Sequence, residues 1–112
     1  MAGIAADLVR GCTDVILLRF LNEEDSYGYQ INKRISSECD GMFELSEATL
    51  YTAFKRLEKN GYIRSYWGNE DTGARRRYYS ITEEGRSYYR DMVNEWKESI
   101  GILTRLVEDT HE

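Results

Sequence analysis

The chain is 112 residues long, carries 15 Lys/Arg against 20 Asp/Glu for a net charge of −5, and is 41% hydrophobic and 31% charged. That size and balance fit one globular domain with a modest core, and they exclude a disordered or low-complexity chain. No window approaches the roughly 18–20 apolar residues of a membrane span, and "MAGIAADLVRG" lacks the parts of a signal peptide, so a cytoplasmic protein without membrane contact is expected.

The first predicted element is a helix over residues 4–22. Its "DVILLRFL" leaves almost no polar stripe, so the helix must be covered on nearly all sides, either within one subunit or partly by a second. A second helix spans residues 27–38, where Tyr27, Ile31 and Ile35 recur at i, i+4 spacing, and Gly41 supplies its stop.

A third helix runs over residues 46–60 with Ser46 as N-cap, Glu47 in the first turn and Gly61 as terminator. Leu50, Ala53, Phe54 and Leu57 share one face, which points inward. The opposite face presents Ala48, Thr52, Lys55 and Lys59, flanked by Thr49, Tyr51 and Arg56. Small side chains allow close approach to a partner, while hydroxyls and cations reach phosphates or base edges; an ordinary solvated surface would look the same.

After Gly61 the pattern turns extended. "YIRSYW" and "RRRYYSI" flank the turn cluster "GNEDTGA", which reads as a hairpin whose return strand is basic, with Gly73 at the tip and Tyr79 and Ile81 facing inward. Thr82 then caps a last helix that meets no stop signal before about residue 109. In it Tyr89, Val93, Trp96, Ile100, Leu103 and Val107 form a heptad-like seam. Such a seam needs covering, by a second copy in a two-fold dimer or by the chain's own first helix.

Charge is unevenly placed. Residues 50–90 hold nine Lys/Arg and five Asp/Glu, hence +4, and the remainder carries −9. The acidic total therefore does not exclude a polyanionic partner, because local potential decides where one docks. Catalysis is not indicated: His111 is the sole histidine, Cys12 and Cys39 are far apart in sequence and read as reduced thiols, and no glycine-rich phosphate loop or metal-ligand spacing occurs. No enzyme activity, cofactor or metal is expected.

Three helices, a basic hairpin and a long helix make a mainly α, α+β winged helix-turn-helix with a two-stranded β wing and a C-terminal dimerisation helix. Residues 1–81 are the expected DNA-binding unit and residues 82–112 the dimerisation helix. The third helix fits a major groove about 12 Å wide, and the wing follows the backbone or adjoining minor groove, where arginine is favoured. Thr49, Tyr51, Thr52 and Lys55 are the expected contacts at and near base edges. Arg75, Arg76 and Arg77 are the expected phosphate or minor-groove contacts, with Lys59 and Arg64 beside them. The alternative is a winged helix that binds protein and not DNA, which leaves the arginine run unexplained.

"LSEATLYTAFKRLEKNGYIRSYWG" followed by "GARRRYYSITEEGR", with the earlier "VILLRFLNEEDSYGYQI", resembles the PadR family of bacterial transcriptional regulators over nearly the whole chain. The single C-terminal helix is similar to the small subfamily that includes a multidrug-sensing repressor. The resemblance implies a homodimer on an inverted-repeat operator in double-stranded DNA. It also implies a site between subunits for a flat aromatic effector, lined by Leu8, Gly11, Cys12, Val15 and Arg19 and by Val93, Trp96 and Ile100, with Trp96 as the stacking residue. Ile100 stands where the multidrug relative has a carboxylate, and Arg19 adds a positive charge, so a neutral or anionic aromatic ligand is expected over a large cation; the alternative is an apolar Trp96 seam that holds no ligand.

Overall fold

The computed structural model describes residues 6–68 and 75–108. The first predicted helix is two pieces, α1 (Ala6–Arg10) and α2 (Thr13–Glu23), and not the single element expected over residues 4–22. Gly11 and Cys12 make the break. The Cys12 N–H donates to the Val9 carbonyl three residues back at 2.8 Å, and the Thr13 hydroxyl donates to the Arg10 carbonyl at 3.1 Å. A tightened turn at glycine, the costliest ordinary residue in a helix interior, thus separates α1 from α2.

α3 (Gly28–Glu38) and α4 (Glu47–Lys59) follow as expected, and α4 is capped where the sequence places it, the Ser46 Oγ accepting the Thr49 N–H at 3.1 Å. The loop into α4 is held by one side chain: Asn32 of α3 donates to the Leu45 carbonyl at 2.7 Å and accepts the Leu45 N–H at 2.9 Å, as a neighbouring strand would. Gly61, at φ 82°, turns the chain out of α4 into the hairpin.

β1 (Ile63–Trp67) pairs antiparallel with β2 (Arg77–Ile81), in a register that sets Ile63 against Ile81 and Trp67 against Arg77. Arg75 and Arg76 precede the strand, which is shorter than the expected 75–81, although the Arg76 carbonyl still accepts the Gly68 N–H at 2.7 Å. Gly73 and the rest of the expected tip lie outside the described residues. Ser26, between α2 and α3, exchanges two backbone hydrogen bonds with Tyr79 and so adds an isolated bridge on the other side of β2.

Leu17, Leu18 and Leu21 of α2, Ile31 of α3, the Leu50–Ala53–Phe54–Leu57 face of α4, and Ile63, Tyr79 and Ile81 of the hairpin form one buried core. The base of the hairpin, where Ile63 pairs with Ile81, is therefore anchored on the helices. α5 (Glu83–Val107) starts from Thr82, whose Oγ1 accepts the Gly85 N–H at 3.0 Å. A Cβ at Gly85 would lie 2.1 Å from the Tyr62 carbonyl oxygen, so only glycine lets α5 press this closely on the hairpin. Twenty-five residues at about 1.5 Å each carry α5 well beyond the core, which accounts for the elongated 63 × 35 × 21 Å shape. Among the described residues no helix is long and apolar enough to cross a membrane.

Candidate nucleic-acid interface and apolar groove

α4 buries Leu50, Ala53, Phe54 and Leu57 and exposes Ala48, Thr49, Tyr51, Thr52, Lys55 and Lys59. Its inward face is fixed by aromatic packing, since Phe54 stacks on Tyr79 with ring centroids 3.9 Å apart. Tyr51 stands out from this helix, but its ring meets Phe54 edge-on and its hydroxyl lies over Gly28 at the start of α3. Arg56 is committed elsewhere. Its guanidinium forms a two-pronged pair with Asp14 of α2, through Nε at 3.0 Å and through Nη2, and the Asp14 hydrogen bond holds the Arg56 pKa above its ordinary value. The pair braces α2 against α4, 42 residues away.

The three arginines do not form one cluster. Arg75 and Arg77 lie on the Trp67 side of the hairpin, their guanidiniums 5.1 and 5.4 Å from the indole ring, while Arg76 lies on the other side, 4.8 Å from the Tyr27 ring. Strand alternation separates them. On the first side Arg77 Nη2 donates to Ser65 Oγ at 2.7 Å, and Ser65 Oγ donates to Glu58 of α4 at 2.7 Å, which links the hairpin to α4. On the second side Tyr78 packs between Tyr27 and Tyr66, and the Tyr66 hydroxyl donates to Asp25 at 2.6 Å. That bond favours the neutral phenol and pushes Tyr66 up to about 12. The sequence reading missed Trp67 and Tyr27 as supports for the arginines, although the alternating aromatics in "YIRSYW" and "RRRYYSI" were the available signal. Arg64, opposite Ser80, and Lys59, in the last turn of α4, are both exposed on the same end of the molecule as the hairpin base.

A second feature lies between the helices. A groove of about 700 Å³ is lined by Leu8, Cys12, Val15, Arg19, Val93, Trp96 and Ile100, with Glu38, Cys39 and Phe43 on its far wall. Gly11 is not part of the lining. Arg19 does not supply the free positive charge expected of it: Nε donates to Glu23 at 3.0 Å and Nη1 to Glu38 at 2.6 Å, while Arg34 holds Glu23 from the other side at 2.7 Å. The Arg34 hydrogen bond, followed by that of Arg19, holds the Glu23 carboxyl below its ordinary range. With Glu38 in the same wall, the charge argument for an anionic ligand loses its basis.

The predicted seam of α5 divides in two. Tyr89 packs on the core and Val93 is half-buried beside the chain's own α2. Trp96, Ile100, Leu103 and Val107 are 42–81% exposed, and Ile102 and Leu106, outside the predicted seam, are exposed as well. The end of α5 is apolar on more than one side.

Three helices carrying a hairpin that bears paired arginines, with the outer face of the third helix open, define a winged helix with a single long helix behind the wing. The chain belongs to the PadR-like family of transcriptional regulators, whose family model matches residues 17–91. It is similar to a transcriptional regulator from Clostridium thermocellum, at 48% identity and a TM-score of 0.85 over 94% of this chain and 99% of that one. It is also similar to a PadR family transcription regulator from Clostridium difficile, at 33% identity and a TM-score of 0.73 over 86% and 98%. An uncharacterized protein from Lysinibacillus sphaericus is 41% identical over 105 residues, covering 94% of this chain and 96% of its own.

Proposed function

We propose that this protein is a homodimeric DNA-binding repressor, released by a flat aromatic effector, with residues 1–81 binding DNA and residues 82–112 joining the subunits. The observation that carries the DNA reading is the outer face of α4. It is exposed and mixes alanine, hydroxyls and lysines while its inner face is locked in the core, and the Glu58–Ser65–Arg77 chain ties it to the wing. Thr49, Tyr51, Thr52 and Lys55 meet base edges and nearby backbone, Tyr51 with less freedom because of its contacts at Gly28. Arg75 and Arg77 follow one side of the wing and Arg76 the other, with Lys59 and Arg64 at phosphates. Cations poised over aromatic rings lose little side-chain freedom on binding, which favours the wing as an anchor.

The apolar end of α5 supports the dimer. Exposed apolar surface of this kind marks an interface, and a two-fold axis would pair each α5 with the partner's α2 and α5. Two copies of α4 would then enter successive major grooves about 34–36 Å apart on an inverted repeat. The groove at Trp96 opens beside that interface. Its apolar wall and paired charges favour a neutral aromatic over an ion. α5 also supports coupling, since it carries Trp96 near its middle and presses on the hairpin at Gly85 in its first turn.

Selection of bound fragments from genomic DNA tests the proposal. The expected result is enrichment of an inverted repeat, with release when a neutral flat aromatic compound is added. Recovery of no repeat would favour the protein-binding winged helix.

A further inference from the structure

Trp67, the last residue of β1, is 52% exposed although it belongs to the face of the hairpin that packs on the helices. Strand alternation puts Ile63, Ser65 and Trp67 on one side. Ile63 is buried in the core, Ser65 reaches Glu58 of α4 at 2.7 Å, and Trp67, two residues further out, is left to solvent. The geometry points to Trp67 as a contact in its own right with the DNA backbone: the indole lies against a deoxyribose and its N–H donates to the adjoining phosphate. The inference rests on the DNA reading and adds to it an uncharged contact between two of the arginines.

The surroundings select that occupant. The guanidinium carbons of Arg75 and Arg77 lie 5.1 and 5.4 Å from the indole centroid, so an apolar ring stands beside two positive charges. A small anion would leave the ring uncovered, and an apolar partner would leave the charges unmatched. A sugar–phosphate chain offers an apolar face and an anion at every step. Among the described residues the indole N–H has no hydrogen-bond partner, and an apolar body with one donor at its edge is the combination that suits tryptophan to interfaces. The neighbouring Tyr66 makes the contrast. It is 44% exposed on the opposite side, but its hydroxyl donates to Asp25 at 2.6 Å and its ring stacks on Tyr78, so its polar group is already used within the subunit. Trp67 is also held in place, since it pairs with Arg77 and the Gly68 N–H still donates to the Arg76 carbonyl one step further out at 2.7 Å. A ring fixed on a paired strand loses little freedom when DNA arrives.

The test uses the full chain carrying 5-fluorotryptophan, whose two fluorine signals are assigned by the loss of one in Trp67→Phe. The difference in each signal between H2O and D2O reports how far solvent reaches that ring. When a duplex from the genomic selection is added, this difference should fall at Trp67. In anisotropy titrations Trp67→Phe, which keeps an aromatic face and removes the N–H, should lose about five- to tenfold in affinity for selected and unrelated duplexes alike. Its log K against log salt slope should match wild type, because no charge is removed, and its urea midpoint should be unchanged. Arg75→Ala/Arg76→Ala/Arg77→Ala, titrated beside it, should instead flatten the slope. Weaker binding by Trp67→Phe, with solvent access to Trp67 unaltered by DNA, overturns the contact and leaves the ring a support for the arginines. Unchanged affinity in Trp67→Phe, with the arginine variant weakened, overturns it as well and leaves the DNA reading standing. If neither variant differs from wild type, both ideas fall.

Discussion

Phe54→Ala should lower the unfolding free energy by about 3–5 kcal/mol, seen as a lower urea midpoint at unchanged slope. Phe54 is 1% exposed and is where α4 meets the sheet. Its ring stacks on Tyr79 at 15° between planes and receives the edge of Tyr51 at a centroid distance of 5.8 Å. Truncation removes the transfer free energy of the ring and leaves a cavity between a helix and a two-stranded hairpin, neither of which can close it without moving the other. The same change should loosen Tyr51, and with it the outer face of α4. A loss below about 1 kcal/mol would mean that the stack does not hold α4 in place.

The second large effect is on binding. Arg75→Ala/Arg76→Ala/Arg77→Ala should weaken operator and unrelated DNA alike and make the salt dependence shallower by about 0.9 for each phosphate the three side chains hold. Stability should change little, because all three are exposed and their ring contacts lie at the surface. Because Arg76 works from the opposite side of the hairpin, restoring it alone should recover only part of the lost slope. An unchanged titration across salt would remove the wing from the interface.

Much of this architecture is legible locally. Ser46 and Thr82 are N-caps with acidic residues in the turn that follows, and both make the side-chain hydrogen bond that the residue type allows. The inward face of α4 follows from helical spacing, and the burial of Tyr79 and Ile81 from strand alternation. The same alternation, applied to Arg75, Arg76 and Arg77, separates them onto two faces; a reading by charge alone groups them. What could not be read depends on contacts distant in sequence. Arg19 looks like a free cation until Glu38, 19 residues on, is placed against it, and Arg56 looks like one more exposed cation flanking the outer face of α4 until Asp14 is. The break between α1 and α2 has only Gly11 as its local signal, and a lone glycine in an apolar helical pattern is often tolerated.

α4 is proposed to choose the sequence while the wing holds the backbone. The most direct measurement repeats the fragment selection with Thr52→Ala and Lys55→Ala and compares the enriched half-sites with those of the wild-type protein and the wing variant. The α4 variants should lose or alter preference at particular base pairs while keeping their affinity for unrelated DNA, and the wing variant should enrich the wild-type repeat with lower affinity. Enrichment of the same repeat, with undiminished preference at every position, by both α4 variants would contradict the account.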